Sequence, residues 1–330
     1  MPDILISENI TGVAVDSLAA RFDVVIKPEL WRYPEVLADE ITGVRGLIIR
    51  NQTKVTRDLL SAGTKLEVIG RAGVGLDNVD VAAAFQAGII VTSTPDQNAI
   101  SVAELAIGMM IALARHIPAA NIDTKAGHWN RQRFVGTELY GKTFGIIGAG
   151  KIGFLSARRA QAFGMKIIAF DPFLSNDNVY LAELNAELIP LESLLERADV
   201  VSCHLPATPQ TTRLLNARAF ARMKPSAIFL NTSRGEVIDE NDLFQALRAG
   251  TIAGAALDVR AVEPPTDSHL ESIPNLLLTP HIAALTQEAQ LRVTAAICDD
   301  VGRVLKGERP LNAVRIQQRD FNETVSPLFG

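Results

Sequence analysis

Apolar residues in the first hundred positions fall into short runs separated by stretches of helical spacing. Residues 3–7, 23–27, 46–50, 66–70 and 89–93 are brief Ile/Val/Leu-rich runs and read as strands. Residues 13–22, 34–41, 56–62 and 81–87 carry the helical period between them. Strands spaced by helices imply a parallel sheet covered on both faces, an α/β fold. The alternation resumes over residues 143–281. Strands are expected there at 143–147, 166–171, 200–205, 227–232, 254–259 and 276–279, with helices at 151–163, 191–197, 217–223 and 240–249. Between the two halves, Ser101-Val102-Ala103-Glu104 has capping-box spacing just before an apolar run to Leu113, and predicts the start of a long helix. A further helical segment, 286–305, is placed to carry the chain back to the first lobe. The tail, 317–330, is polar with little periodicity and is compatible with disorder or with an edge segment. The expected organisation is a lobe of residues 101–284 inserted into a discontinuous lobe of residues 1–100 plus 285–330. Clefts between such lobes bind ligands, and hinge closure there excludes water.

Composition narrows the picture. The 330 residues are 48% hydrophobic and 21% charged, as expected of two globular domains. The net charge of −5, without a long basic run, argues against a nucleic-acid partner. The apolar stretch 106–114 lies between Glu104 and Arg115 and is too short to span a bilayer. The N-terminus, Met-Pro-Asp-Ile-Leu-Ile-Ser, has no basic region of a secretory signal. Cys203 and Cys298 have no metal-ligand spacing and read as small buried hydrophobes of a reducing, cytoplasmic setting; no metal is expected.

One stretch carries chemistry by its order of parts. The strand at 143–147 runs directly into Gly148-Ala149-Gly150-Lys151-Ile152-Gly153, then a helix, and then a second strand ending in Asp171. That is the layout of a dinucleotide-binding βαβ unit. Gly148 permits the tight turn, Gly150 lets a pyrophosphate approach the backbone, and Gly153 lets helix and strand pack closely. Lys151 and Ile152 present the helix N-terminus to the phosphates. Asp171 can accept bonds from a ribose 2′-OH and would repel a 2′-phosphate, which favours NAD over NADP. The competing reading is a Gly-rich strand–helix turn that binds nothing.

A carbonyl reduced by a nicotinamide needs a proton, and a histidine suits that task. Of five histidines (116, 128, 204, 269 and 281), His281 follows the 276–279 strand, at the edge where ligands sit in open α/β sheets. Arg234 follows the 227–232 strand and Glu263 the 254–259 strand. Convergence of the three on one crevice is one reading; an exposed loop acid, a surface ion-pair partner and a structural histidine are the other.

Taken together, GRAGVGLDNVD (70–80), NAISVAELAIGMM (98–110), GKTFGIIGAGKIG (141–153), FGMKIIAFDP (163–172), NTSRGEVIDENDL (231–243), AGAALDV (253–259), EPP (263–265) and TPHIA (279–283) resemble the D-isomer-specific 2-hydroxyacid dehydrogenases, and within them the short phosphoglycerate dehydrogenase-like branch. The resemblance implies a Rossmann-type NAD-binding domain inserted into a discontinuous flavodoxin-like substrate domain. It also implies a homodimer built from the helix after Ser101 and the arm to about residue 140. Arg234 is implied to bind the substrate carboxylate, His281 to be the acid–base group and Glu263 to orient it. Val74, Leu205, Thr232, Ser233, Asp258 and Ala283 are implied to line the cofactor along with Arg234 and His281. The backbone of Val74 and Gly75 is implied to face the substrate. Arg50, Asn51, Arg71 and, from a neighbouring subunit, Arg131 match the substrate side. Three arginines there suggest a second anionic group, phosphate or sulfonate; ordinary surface arginines are the alternative. Asn51-Gln52 replaces a Ser-Ala pair common in the phosphoglycerate branch, Ala283 stands where glycine is usual, and Leu285 where a small polar residue is common. The Arg50-Asn51 loop also resembles sulfolactate dehydrogenases, and hydroxypyruvate and glyoxylate reductases fit the same pattern. Formate dehydrogenases fit less well, because Glu263 stands where that branch resembles a Gln–His arrangement. A chain ending near residue 330 is expected to lack a C-terminal regulatory domain. NADH-sensing corepressors share the same polar triad and supply the non-enzyme reading.

Overall fold

The computed structural model describes residues 2–266 and 269–314. The chain divides into two compact units, one of residues up to Asn98 together with those from Gln287 onward, the other of Ala99–Thr286.

In the first unit, strands β1 (Ile4–Ile6), β2 (Val24–Ile26), β3 (Gly46–Ile49), β4 (Val68–Arg71) and β5 (Ile90–Thr92) alternate with helices α1 (Val13–Ala19), α2 (Pro34–Ile41), α3 (Arg57–Ala62) and α4 (Val81–Gln86). All strand pairs are parallel, in the order β2-β1-β3-β4-β5. This is the flavodoxin-like order, with its switch point between β1 and β3. Alternate strand residues face opposite ways. Leu5, Leu47, Ile49 and Ile69 pack with Leu37 and Ile41 of α2, Leu59 and Leu60 of α3 and Ala83 and Ala84 of α4. Thr56 and Asp80 cap α3 and α4 through side-chain oxygens that accept the N–H groups of Leu59 and Ala83.

The second unit opens with α5 (Ala99–Ala114) and α6 (Ile117–Lys125). It continues through β6 (Thr143–Ile147), α7 (Lys151–Ala162), β7 (Lys166–Phe170), α8 (Val179–Leu184), β8 (Glu187–Leu188), α9 (Leu191–Arg197) and β9 (Val200–Cys203). It closes with α10 (Ala217–Arg222), β10 (Ile228–Asn231), α11 (Glu240–Arg248), β11 (Gly254–Leu257) and β12 (Leu276–Leu278). The seven strands are parallel in the order β12-β11-β10-β9-β6-β7-β8. That is a doubly wound Rossmann sheet, whose order reverses between β6 and β9. Its central strands β6, β9, β10 and β11 are short, mostly apolar and buried, as a parallel sheet between helices requires.

The last helix, α12 (Gln287–Leu305), returns to the first unit. Val293, Ile297 and Val301 cover the sheet face made by Ile4, Ile6, Ile48 and Val68, beside Val15 and Leu18 of α1. A Cβ on Gly70 would lie 2.7 Å from Val301 and 2.9 Å from Ile297, so the helix rests directly on that glycine. Buried Asp300 accepts the N–H groups of Leu311 and Asn312 and seats the following segment, where Thr92 bridges antiparallel to Ala313 at the β5 edge.

The expected capping box does not form. The helix already begins at Ala99, so Ser101 lies inside α5, buried, and its hydroxyl pairs with that of Thr286 at 2.8 Å. Helices α6 and α8 and strand β8 have no counterpart in the expected elements. Arg71 is the last residue of β4 rather than a residue after it. Both cysteines are free and buried. Among the described residues no single helix is long and apolar enough to cross a membrane. The tail 317–330 lies outside the described residues.

Candidate active site

The glycine turn sits at the switch point of the second sheet. Gly148 leaves β6 at φ 90, a left-handed conformation that favours glycine. Its absent side chain would lie 3.0 Å from the His204 carbonyl oxygen and 3.1 Å from the Leu205 side chain, so the turn and the segment after β9 press together. Gly150 precedes α7 as its N-cap residue and would present an added Cβ to open space, with nothing within 4 Å. A Cβ on Gly153 would stand 2.3 Å from the Gly148 carbonyl oxygen, and only a bare Cα allows that helix–turn contact. Lys151 and Ile152 form the first turn of α7. Burial pushes the His204 imidazole down to about 4, so it sits beneath the turn as a neutral ring bonded to Ser202 at 2.9 Å.

Asp171 follows β7 and reaches back to this turn. Its Oδ2 accepts the Ala149 N–H at 3.0 Å and its Oδ1 the Phe173 N–H at 2.9 Å. Across the switch point, the Thr232 hydroxyl, just past β10, is buried without a hydrogen-bond partner among the described residues. An open glycine cradle at a helix start, an acid at the end of the second strand and an orphaned buried hydroxyl fit a dinucleotide. Asp171→Ala is expected to weaken NADH binding roughly tenfold or more, the worth of hydrogen bonds to a charged group, with a smaller change for NADPH. Fluorescence titration with both nucleotides measures this; an unchanged ratio would place nucleotide selectivity elsewhere.

The chemistry-bearing groups come from the carboxyl ends of three adjacent strands. Arg234 follows β10; its carbonyl accepts a bond from Asn231 Nδ2, and its Nη1 donates to the Ser233 carbonyl. The Ser233 hydroxyl bonds back to Asn231 Oδ1. Glu263 lies in the loop after β11, and His281 follows β12. His281 Nδ1 and Glu263 Oε2 are 2.6 Å apart. This bond raises the His281 pKa above its ordinary value; burial opposes it, the charges of Glu263 and Asp258 add to it, and that of Arg234 subtracts. Burial pushes the Glu263 carboxyl up, but the bonds from His281 and from the Arg260 N–H, with the charges of His281 and Arg234, hold it below the usual range.

The His281 backbone is itself left-handed, at φ 55. Asp258, buried at the end of β11, keeps it there. One Asp258 oxygen accepts the Thr279 hydroxyl at 2.5 Å and the Ile282 N–H at 2.9 Å, the other the Ala283 N–H at 2.8 Å, and the Asp258 carbonyl accepts the His281 N–H. Asp258 thus ties down the loop on both sides of the histidine, a role the sequence reading did not foresee. Ala283 is buried in the same loop.

Arg50, Asn51, Arg71, Val74 and Gly75 belong to the first unit. Arg50 and exposed Asn51 start the loop after β3, at that sheet's switch point. Buried Glu8 accepts the N–H groups of Arg50, Gln52 and Thr53, and Asn78 donates to the carbonyls of Arg50 and Thr53. Burial lowers the Arg50 pKa and the charge of Glu8 partly restores it, so this cation is held where water solvates it poorly. The Arg71 guanidinium lies over Gly73, whose φ of 146 and lack of a Cβ make room for it. Val74 and Gly75 follow in the same turn, half-buried. Arg131 is exposed in the short 3-10 turn Arg131–Phe134, which Asp123 anchors through Asn130 and Arg133.

The family model for the NAD-binding domain of D-isomer specific 2-hydroxyacid dehydrogenases matches residues 107–283. A D-3-phosphoglycerate dehydrogenase of Synechocystis is 43% identical over 96% of the chain, and the chain spans 56% of that relative's length. Among solved structures, the TT0316 protein of Thermus thermophilus superposes with a TM-score of 0.88 at 34% identity, covering 94% of this chain and 99% of that one. A glyoxylate reductase of Paecilomyes thermophila superposes with 0.86 at 31%, covering 96% and 98%. With the NAD-binding domain's family model covering more than half of its residues, the chain belongs to the D-isomer specific 2-hydroxyacid dehydrogenases.

Proposed function

We propose that the protein is an NAD-dependent dehydrogenase of D-2-hydroxy acids, close to the phosphoglycerate dehydrogenases. The observation that carries this reading is the His281–Glu263 pair beside Arg234, on the same sheet edge as the glycine turn. NAD, when bound, supplies the hydride acceptor and, reduced, the hydride donor. The Arg234 fork holds the substrate carboxylate. With Nδ1–H directed at Glu263, the other ring nitrogen of His281 takes the hydroxyl proton in oxidation and returns it in reduction. Glu263 fixes that tautomer and favours the imidazolium. Thr232, Ser233, Leu205 and Val74 line the cofactor in this reading, and Gly75 faces the substrate.

The substrate proposed is a small acid with a second anionic group. Arg50 supports it, as a partly desolvated cation that gains from an anion; Arg71, Asn51 and Arg131 are the other candidate contacts. The partner proposed is a second copy of the chain, in the cytoplasm, with no role for nucleic acid or membrane. Ile117, Ile122, Trp129, Val135 and Tyr140 leave half or more of their surface exposed within one short segment, which a dimer contact would cover.

A spectrophotometric screen of D-3-phosphoglycerate, sulfolactate, hydroxypyruvate, glyoxylate and 2-oxoglutarate with NAD(H) tests the proposal. The highest kcat/KM is expected with an acid bearing phosphate or sulfonate. Equal turnover of glyoxylate and hydroxypyruvate would make the protein a reductase of small oxo acids. NADH binding without turnover of any acid would leave a nucleotide-sensing protein. Reduction needs protonated His281, so its kcat/KM should hold at low pH and fall as pH rises through the raised His281 pKa. In Glu263→Gln the fall should begin at lower pH.

A further inference from the structure

Behind the His281–Glu263 pair lies an ionic cluster that touches neither the glycine turn nor the histidine. Arg260, two residues past Asp258, turns its guanidinium inward, and only 10% of the side chain is exposed. Its Nε lies 3.2 Å from both oxygens of Glu240, its Nη2 donates to Glu240 at 3.0 Å and its Nη1 to Glu271 at 3.0 Å. Glu240 is the first residue of α11, and its carboxylate also accepts the backbone N–H of Ala261 at 2.7 Å. One carboxylate thereby grips both the side chain of Arg260 and the peptide that follows it.

That peptide bears on all three chemistry-bearing residues. The Arg260 N–H donates to Glu263 Oε1 at 2.9 Å, leaving Oε2 for His281. From the other side Gly235, adjacent to Arg234, packs against the same backbone: an added Cβ would lie 2.0 Å from the Arg260 carbonyl carbon and 2.3 Å from the Ala261 nitrogen. The loop is fixed between a carboxylate and a glycine, and it aims Glu263.

We propose that Glu240 and Arg260 are positioning residues for the His281–Glu263 pair, acting by clamping the Arg260–Ala261 peptide. Burying the Arg260 guanidinium against the largely buried Glu240 carboxylate, with exposed Glu271 at its outer end, is a poor device for stability alone, since desolvation offsets most of the attraction. It is a good device for fixing direction, because the planar fork and the peptide N–H together define where the loop can sit. The catalytic meaning of the clamp rests on the function proposed above; its geometric meaning does not.

The test is an NMR titration of the His281 ring in the full chain, with the signal assigned by its loss in His281→Gln. The charged groups that act on this ring are Glu263, Asp258 and Arg234. Glu263→Gln should lower the midpoint, and Glu240→Gln and Arg260→Met should each lower it by roughly one pH unit, the size expected when a carboxylate partner loses its contact. In the same variants kcat for the best acid of the screen should fall on the order of tenfold to a hundredfold, with NADH affinity unchanged. If Arg260→Met fails to fold, Glu240→Asp keeps the charge, shortens the reach and should shift the midpoint in the same direction. A midpoint that stays at the wild-type value in a folded variant, while Glu263→Gln moves it, overturns the proposal. Wild-type protein that turns over none of the acids would overturn the enzymatic reading alone, because the titration does not depend on turnover.

Discussion

His281→Ala is expected to lose on the order of a hundredfold to ten-thousandfold in kcat, the usual share of a positioned acid–base group. NADH affinity should stay close to wild type, because the glycine turn and Asp171 are held by contacts that do not involve the histidine. The backbone complicates the choice of variant. At φ 55 alanine is strained by roughly 1–2 kcal/mol, whereas asparagine tolerates this region. His281→Asn therefore keeps the loop that Asp258 ties down while removing the imidazole. Steady-state kinetics and fluorescence titration of both variants give the answer. Loss in both assigns the proton to the ring. Retention of turnover in the asparagine variant would show that only the backbone conformation matters.

The second large effect is expected at Gly153. An alanine there puts its Cβ 2.3 Å from the Gly148 carbonyl oxygen, a backbone atom that cannot rotate away. Either the turn opens or α7 is pushed off β6. Overpacking of this kind costs about 1–3 kcal/mol and sometimes more. It falls on the two elements that shape the phosphate cradle, so NADH binding should drop by at least roughly tenfold for each ~1.4 kcal/mol not relaxed elsewhere. Gly150→Ala is the informative contrast. Its Cβ meets nothing within 4 Å, so thermal stability should be kept while NADH binding weakens. Calorimetry for melting and binding separates the two. Equal melting temperatures for Gly153→Ala and wild type would mean that the turn is more pliant than its contacts suggest.

The sheets were legible because a buried parallel strand is a short continuous apolar run. Phe144, Ile146 and Ile147, or Ile228, Phe229 and Leu230, stand out without any partner being known. What the sequence hid is of another kind. Ser101 has capping-box spacing, but its true partner, Thr286, lies at the far end of the inserted unit. No local pattern announces such a contact. Helix α6 presents no wide apolar stripe and buries only Asp123 among its residues, so its period was weak. At the site, Arg234, Glu263 and His281 were findable because each follows a strand. The side chains that direct them were not. Asp258 spends both oxygens on a loop about twenty residues downstream, and Glu240 reaches Arg260 from the start of α11, about twenty residues upstream. Asp171 was legible as an acid at a strand end, but its bond to the Ala149 N–H, which braces the turn, was not.

The return of α12 to the first unit has a consequence for how the chain is made. Ile4, Ile6, Ile48 and Val68 leave the ribosome early, yet the residues that cover them, Val293, Ile297 and Val301, emerge only after all of Ala99–Thr286. During synthesis the inserted unit is complete first, and the part of this sheet face that α1 leaves to α12 waits with its aliphatic surface open to solvent. That interval is when a nascent chain of this family member is most exposed to aggregation and most in need of a chaperone.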